Sequence, residues 1–154
     1  MIQRIQTLFL IAATVFLSFT VFFPFAELVR TSDQMLYSLD FNGLIASENQ
    51  GELVFNVLPV SILIIVTLII TVATIFLYKK RMLQIRLCIF NAILQLGIPS
   101  LIFYYVRMAE ATLPGVSSYN VVFVFPVASA ILIFLALRAI ARDEALIRSL
   151  DRLR

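Results

Sequence analysis

The sequence contains no histidine and only one cysteine, Cys88. Without histidine, the chain lacks the commonest metal ligand and the side chain whose charge changes near physiological pH. A single cysteine cannot form a disulfide within the chain, and it excludes a redox centre of the Cys-x-x-Cys kind. We therefore predict a protein that is not an enzyme and that holds no metal or cofactor.

Charge is scarce as well, because only 14% of the 154 residues are charged whereas 62% are hydrophobic. The mean hydropathy of +1.02 lies far outside the range of soluble domains. A membrane-spanning helix needs about 20 apolar residues to cross a hydrocarbon core of about 30 Å. We predict an all-α membrane protein, a single domain over residues 1–154 that forms an antiparallel bundle of four transmembrane helices. The four charge-free runs are residues 5–26, 53–78, 87–106 and 120–137.

Most of the cations fall on one side of this predicted topology, the side of both termini and of the loop between the second and third runs. The opposite side holds only Arg30 and Arg107. Cytoplasmic loops carry an excess of lysine and arginine, so both termini are predicted to be cytoplasmic. A basic patch beside a membrane span also attracts anionic lipid headgroups, and we favour that partner over nucleic acid. We call these cations the basic face: Arg4, Lys79, Lys80, Arg81, Arg86, Arg138, Arg142, Arg148, Arg152 and Arg154.

Neutral polar residues recur at steps of three and four along the second and third runs, so each set lines one helix face. An antiparallel hairpin would place Thr71 level with Asn91 and Thr67 level with Gln95. Hydrogen bonds between such helices contribute about 0.6 kcal/mol each in a membrane. The set is interpreted either as a device that holds the helices together or as the lining of a polar path. We call it the polar seam: Thr67, Thr71, Thr74, Gln84, Asn91 and Gln95.

The segments outside the runs carry weaker signals. Apolar and polar residues alternate over residues 37–42 before an Asn42-Gly43 turn, which favours a short β-hairpin with residues 28–31 in the first outer loop. Pro114-Gly115 predicts the turn of the second outer loop. Residues 138–154 are predicted to extend the fourth helix into the cytoplasm as an amphipathic tail, which could lie on the membrane, on the basic loop or on another protein.

Three stretches, "MIQRIQTLFL", "YKKRMLQIRLCIFN" and "LALRAIARDEALIRSLDRLR", cover much of the chain's two ends and its central loop. The whole chain resembles a family of short four-span inner-membrane proteins of unknown function found in Bacteroidetes. The resemblance implies a bacterial inner-membrane location and brings no activity with it. By analogy, the motif residues are Gln3, Arg4, Gln6, Lys79, Lys80, Arg81, Gln84, Arg86, Asn91, Arg138, Ala139, Asp143, Glu144, Asp151, Arg152 and Arg154.

Two functions fit these patterns. The first is an accessory or structural subunit that meets a larger membrane complex, a second copy of itself or anionic lipid through the basic face. The alternative is a small homo-oligomeric transporter or channel that uses the polar seam. A channel needs a polar lining across the whole membrane, and the fourth run offers only Ser129 near mid-depth. Ion-coupled transporters usually place a charge at depth, and no run contains one.

Overall fold

The computed structural model describes residues 3–32, 34–46, 53–78 and 80–151, with side chains for residues 5–146 of these ranges. Within these residues the chain forms long helices joined by short strands. The helices are α1 (Gln3–Phe22), α2 (Leu58–Phe76), α3 (Arg81–Thr112) and α4 (Phe125–Asp151). The strands are β1 (Ala26–Arg30), β2 (Leu36–Asp40), β3 (Gly43–Ala46), β4 (Leu53–Phe55) and β5 (Gly115–Tyr119). A 3₁₀ turn over Val121–Val124 precedes α4.

Each helix is long and apolar enough to cross a membrane by its length and composition. Consecutive helices pack against each other, and α4 closes the ring by packing against α1. Large apolar side chains such as Ile69, Ile93 and Phe134 are more than half exposed on the helix surfaces. Exposed apolar surface on this scale is unfavourable in water and is typical of a surface that faces lipid.

The prediction of an all-α bundle is wrong. The described residues form a five-stranded antiparallel sheet in the order β4-β3-β2-β1-β5. The predicted hairpin in the first outer loop is confirmed as the pair of β1 and β2, in which Leu28 lies opposite Tyr37. It is only part of the sheet, because β3 and β4 extend it on one side and β5 pairs with β1 on the other. Local alternation cannot reveal β5, since Ala26 pairs with Tyr119 across most of the chain.

The boundaries of α1 and α2 differ from the predicted runs at the end that carries the sheet. The first run, residues 5–26, is too long because α1 ends at Phe22 and the chain then enters β1. The second run, residues 53–78, begins too early because its first three residues form β4 and α2 starts at Leu58. Pro59 occupies the first turn of α2, where its missing N–H costs no helical hydrogen bond.

The other two helices are longer than their predicted runs. Where residues 87–106 were expected, α3 has 32 residues. At 1.5 Å per residue it is roughly 48 Å long, so it extends beyond a hydrocarbon core of about 30 Å. The fourth run, residues 120–137, is replaced by the 3₁₀ turn and by α4, which continues without a break to Asp151. The predicted helical extension beyond Arg138 is therefore confirmed.

Two glycines allow the sheet to form. Gly43 has φ of +147°, and a Cβ added there would lie 2.5 Å from the carbonyl oxygen of Phe55. At Gly115 a Cβ would overlap the carbonyl oxygen of Val29 on the neighbouring strand. Gly115 was predicted to lie in a turn, but it begins β5 because only glycine permits so close a pairing with β1.

The buried side chains form two apolar clusters. One joins the inner face of the sheet, including Phe25 and Leu39, to Ile64 of α2 and Ile102 of α3. The other lies toward the opposite end of the bundle, between α1, α3 and α4, and contains Leu10, Ala13, Cys88, Ile133, Ala136 and Ile140. The sheet thus covers one end of the bundle, and the polar seam and the basic face lie toward the other.

Candidate functional site: the polar seam and the basic end of the bundle

The centre of the polar seam is a hydrogen bond between α2 and α3. The side-chain amide of Asn91 donates to Thr71 Oγ1 over 2.7 Å, and both residues are buried. Thr71 in turn donates its hydroxyl hydrogen to the carbonyl of Thr67, also over 2.7 Å. The predicted pair of Thr71 and Asn91 is confirmed, and the spacing rule succeeds because both helices keep regular geometry at this level.

A second interhelical bond lies one level nearer the basic end. The buried amide of Gln84 donates to the backbone carbonyl of Thr74 over 3.1 Å. The predicted hairpin register that pairs Thr71 with Asn91 would also place Gln84 level with Tyr78 and Thr74 level with Cys88. The observed bond between Gln84 and Thr74 therefore joins a different pair of residues. Thr74 lies in the last turn of α2, where backbone carbonyls lack helical N–H partners, so its carbonyl can accept from Gln84. Its hydroxyl donates separately to the carbonyl of Ile70.

Gln95 is the exception in the polar seam. It is fully buried, and neither its Nε2 nor its Oε1 has a hydrogen-bond partner among the described residues. The predicted bond to Thr67 is wrong: the Thr67 hydroxyl lies 2.9 Å from the carbonyls of Leu63 and Ile64 in its own helix, and its oxygen accepts no bond from Gln95. Pro99 also has no N–H to give to the Gln95 carbonyl. This region of α3 therefore carries more polar groups than its neighbours satisfy.

The surroundings of Gln95 do not form a continuous polar path. On the side toward the sheet, Ile64 and Ile98 of the first apolar cluster are fully buried. On the side toward the basic end, Cys88 and Ile133 of the second cluster are fully buried. Among the described residues, the polar seam on α3 runs from Gln84 near the basic end to Gln95, and the buried residues that follow it, Ile98 and Ile102, are apolar. Ser129 adds one polar contact at this depth by donating to the carbonyl of Ala13, which joins α4 to α1.

Gly97 lies two residues after Gln95 in α3, and glycine in a membrane helix often marks a close approach between helices. A Cβ at this position would meet only the Cδ2 atom of Leu63, at 3.5 Å, which is an ordinary van der Waals contact. The packing of α2 against α3 therefore does not require glycine here.

The basic face is gathered at the end of the bundle opposite the sheet. This end carries the start of α1, the loop between α2 and α3, and the second half of α4. Arg4 and Arg148 lie in α1 and α4, and their side chains are outside the described set. Lys79, Arg152 and Arg154 are outside the described residues. The structure therefore describes five side chains of the basic face: Lys80, Arg81, Arg86, Arg138 and Arg142.

Sequence reasoning missed the contact that joins α1 and α4 at this end. The amide of Gln6 donates to Asp143 Oδ2, although the two residues are 137 positions apart. Both belong to the motif set that the family resemblance supplied, but no local pattern indicates that they pair.

Beside this contact lies a groove of about 450 Å³ between α1 and α4. Its lining is Ile5, Phe9, Leu135, Arg138, Ala139, Arg142, Asp143 and Leu146. We call it the α1–α4 groove. Apolar side chains from both helices and two arginines of the basic face therefore meet in one concave surface. A separate cavity of about 380 Å³ lies at the start of α3 and reaches Glu144 of α4.

At the opposite end, the sheet contains a half-buried carboxylate. Asp40 lies in β2 beside the turn at Gly43, and its Oδ1 atom has no partner among the described residues. Ser38 donates to its other oxygen over 3.4 Å, a long hydrogen bond. Burial raises the pKa of Asp40, and the weaker bond from Ser38 only partly opposes that shift.

The family described as a domain of unknown function (DUF4293) has a sequence model that matches residues 2–153, which is nearly the whole chain. None of the curated proteins compared with the chain matches it. The match assigns neither an activity nor a site to any residue.

Proposed function

The chain belongs to the DUF4293 family, a domain of unknown function, and on that premise we propose that it is a non-enzymatic integral protein of the bacterial inner membrane, of the kind found in Bacteroidetes. In this proposal it acts as an accessory or structural subunit. It engages a larger membrane complex through its basic face, with anionic lipid at the same surface. The observation that carries the proposal is that cations from the loop before α3, the start of α3 and the second half of α4 lie at one end of the bundle, where the two from α4 line the α1–α4 groove.

The orientation follows from charge. All described cations of the basic face lie at the end opposite the sheet, and the excess of lysine and arginine marks the cytoplasmic side. The proposal therefore places both termini in the cytoplasm and the sheet in the periplasm. A reporter that is active only in the cytoplasm should be active when it is fused after Arg154, and one fused into the 31–35 turn should be silent. The reverse pattern would refute this orientation.

The accessory role is supported by the chemistry of this end. Exposed arginines at a helix end attract acidic partners and increase the rate of encounter, while apolar side chains beside them supply contact area. The helical extension of α4 adds a further cytoplasmic surface. No function of the polar seam is needed for this role, since interhelical hydrogen bonds hold membrane helices together.

The test is purification of the tagged protein from its native membrane in a mild detergent, followed by identification of what co-purifies and in what ratio. The matched variant ends after Leu146, because this truncation removes the second half of the tail with Arg148, Arg152 and Arg154 of the basic face, and keeps the Gln6–Asp143 contact and the α1–α4 groove. We expect a stoichiometric membrane protein that is lost from the truncated variant. A wild-type protein that purifies alone at native abundance would contradict the accessory role.

One observation favours the alternative of a small homo-oligomeric transporter or channel. The unpaired amide of Gln95 and the unpaired Oδ1 of Asn91 lie in the middle of the bundle, where a permeating polar solute would need partners. Flux through proteoliposomes, measured for the wild type and for Asn91→Leu with Gln95→Leu, separates the two roles. If the double variant loses the flux of the wild type while its melting temperature is unchanged, the result would support transport over the accessory role.

A further inference from the structure

We propose that the α1–α4 groove is a binding site for one anionic phospholipid of the cytoplasmic leaflet. The phosphate would bind to Arg138 and Arg142, and an acyl chain would lie along Phe9 and Leu135. This inference rests on the proposed orientation, because only that orientation places the groove in the cytoplasmic leaflet. It goes beyond general attraction of lipid to the basic face by naming one site and its ligand.

The order of the lining residues matches the order of groups in a phospholipid. Leu135, Arg138, Arg142 and Leu146 follow at steps of three and four, so they share one face of α4. Leu135 is the deepest of them in the candidate span, and the two arginines lie successively nearer the cytoplasmic end. Lysine and arginine near a helix end extend toward the interface, which is the level of the lipid phosphate.

The charges of the groove complement a phosphodiester. Arg138 and Arg142 are both exposed, and neither guanidinium has a hydrogen-bond or ion-pair partner among the described residues. Asp143 is the only acid of the lining, and its carboxylate accepts the hydrogen bond from Gln6. Two cations and one carboxylate leave a net positive charge for a single anionic headgroup. Arginine also binds a phosphate group in a bidentate geometry, and the net positive charge of the groove favours an anionic headgroup over a zwitterionic one that carries the same phosphate.

The apolar part of the groove explains why a lipid fits better than a free anion. Ile5, Phe9 and Leu135 line the same concavity and lie at membrane depth, where an acyl chain is the available apolar ligand. Ala139 lies between the arginines, and its small side chain leaves the space open. A groove between two helices also gives an acyl chain two walls, which a flat helix surface does not.

The first experiment measures lipid binding by the full-length protein in nanodiscs of phosphatidylcholine that contain a titrated fraction of phosphatidylglycerol. Native mass spectrometry should detect one phosphatidylglycerol per protein. The double variant Arg138→Gln and Arg142→Gln should weaken its apparent affinity on the order of 30-fold, from about 1 kcal/mol for each cation near an anionic lipid. The matched control is the double variant Lys80→Gln and Arg86→Gln, which removes two exposed cations of the basic face outside the groove and should change the affinity by less than about fivefold, the worth of one cation.

A second variant tests the apolar part of the site without changing its charge. Ala139→Phe should fill the space between the arginines and abolish retention of the lipid, while thermal melting in detergent confirms that the variant is folded. Equal affinity in the double arginine variant and in the double variant Lys80→Gln and Arg86→Gln would show diffuse attraction and overturn the proposal, as would full retention by Ala139→Phe. Displacement of the lipid by an equimolar amount of inorganic phosphate would identify a phosphate site and also overturn it.

The outcomes also distinguish this inference from the proposed function. If the partner protein still co-purifies with the double arginine variant that has lost its lipid, the accessory role does not depend on the lipid site. If the groove binds phosphatidylglycerol but no partner co-purifies with the wild type, the lipid site is established and the accessory role fails.

Discussion

Replacing Gln95 with methionine is expected to stabilise the protein. Methionine has nearly the same shape as glutamine, so the change removes the two polar atoms and keeps the packing of α3. An unsatisfied buried polar group costs about 1–3 kcal/mol, and Gln95 is fully buried with no partner for either atom among the described residues. We expect the free energy of unfolding to rise by about 1–3 kcal/mol in Gln95→Met.

The matched control is the same substitution at the other buried glutamine of α3. Gln84 donates to the Thr74 carbonyl over 3.1 Å, so Gln84→Met removes a bond that is made. Interhelical hydrogen bonds contribute about 0.6 kcal/mol in membranes, and Gln84→Met should therefore destabilise the protein by about that amount. The two substitutions are chemically identical, yet they should change stability in opposite directions.

The assay is reversible unfolding in mixed micelles, followed by helical circular dichroism at increasing denaturant for the wild type and both variants. A loss of stability in Gln95→Met of more than about 1 kcal/mol would refute the reasoning, because it would mean that the amide makes hydrogen bonds in the folded protein. In that case the Gln95 side chain would bind a ligand or adopt a second conformation, and the interpretation of the polar seam as a functional path would be strengthened.

Three further predictions concern the sheet and α3. Burial raises the pKa of Asp40 above 3.8, so the folded protein binds a proton at this carboxyl more tightly than the unfolded chain does. The stability that this proton contributes is lost as the pH rises through the raised pKa. Asp40→Asn should therefore raise the melting temperature at pH 7, and the gain should vanish below pH 3.8. An equal gain at pH 7 and below pH 3.8 would contradict the titration argument. Gly115→Ala should destabilise by about 1–3 kcal/mol, because its Cβ would overlap the Val29 carbonyl; an unchanged melting temperature would show that β1 and β5 do not pair so closely. Gly97→Ala should leave the packing against Leu63 intact and stabilise α3 by about 0.5–1 kcal/mol in the same unfolding assay, and a destabilised variant would reveal a tighter contact than 3.5 Å.

The polar seam shows how far spacing rules reach. The steps of three and four predicted which residues share a helix face, and the Thr71–Asn91 bond follows from them. The same rule failed at Gln95: Thr67 and Thr71 both donate to carbonyls of their own helix, yet only Thr71 also accepts a bond from α3. Whether a hydroxyl oxygen also accepts a bond from the facing helix depends on the distance between the helices at that level, and that distance is set by side chains from the whole bundle.

The sequence by itself determined the helices and the asymmetry of charge. Long charge-free runs and the positions of the cations are properties of short segments, and each segment forms a helix of the expected kind because its backbone bonds are internal. The tertiary structure alone decided the α1–α4 groove and the part of the sheet beyond the β1–β2 hairpin. The pairing of β1 with β5 and of Gln6 with Asp143 joins residues about 90 and 137 positions apart, and only the packed bundle brings such residues together.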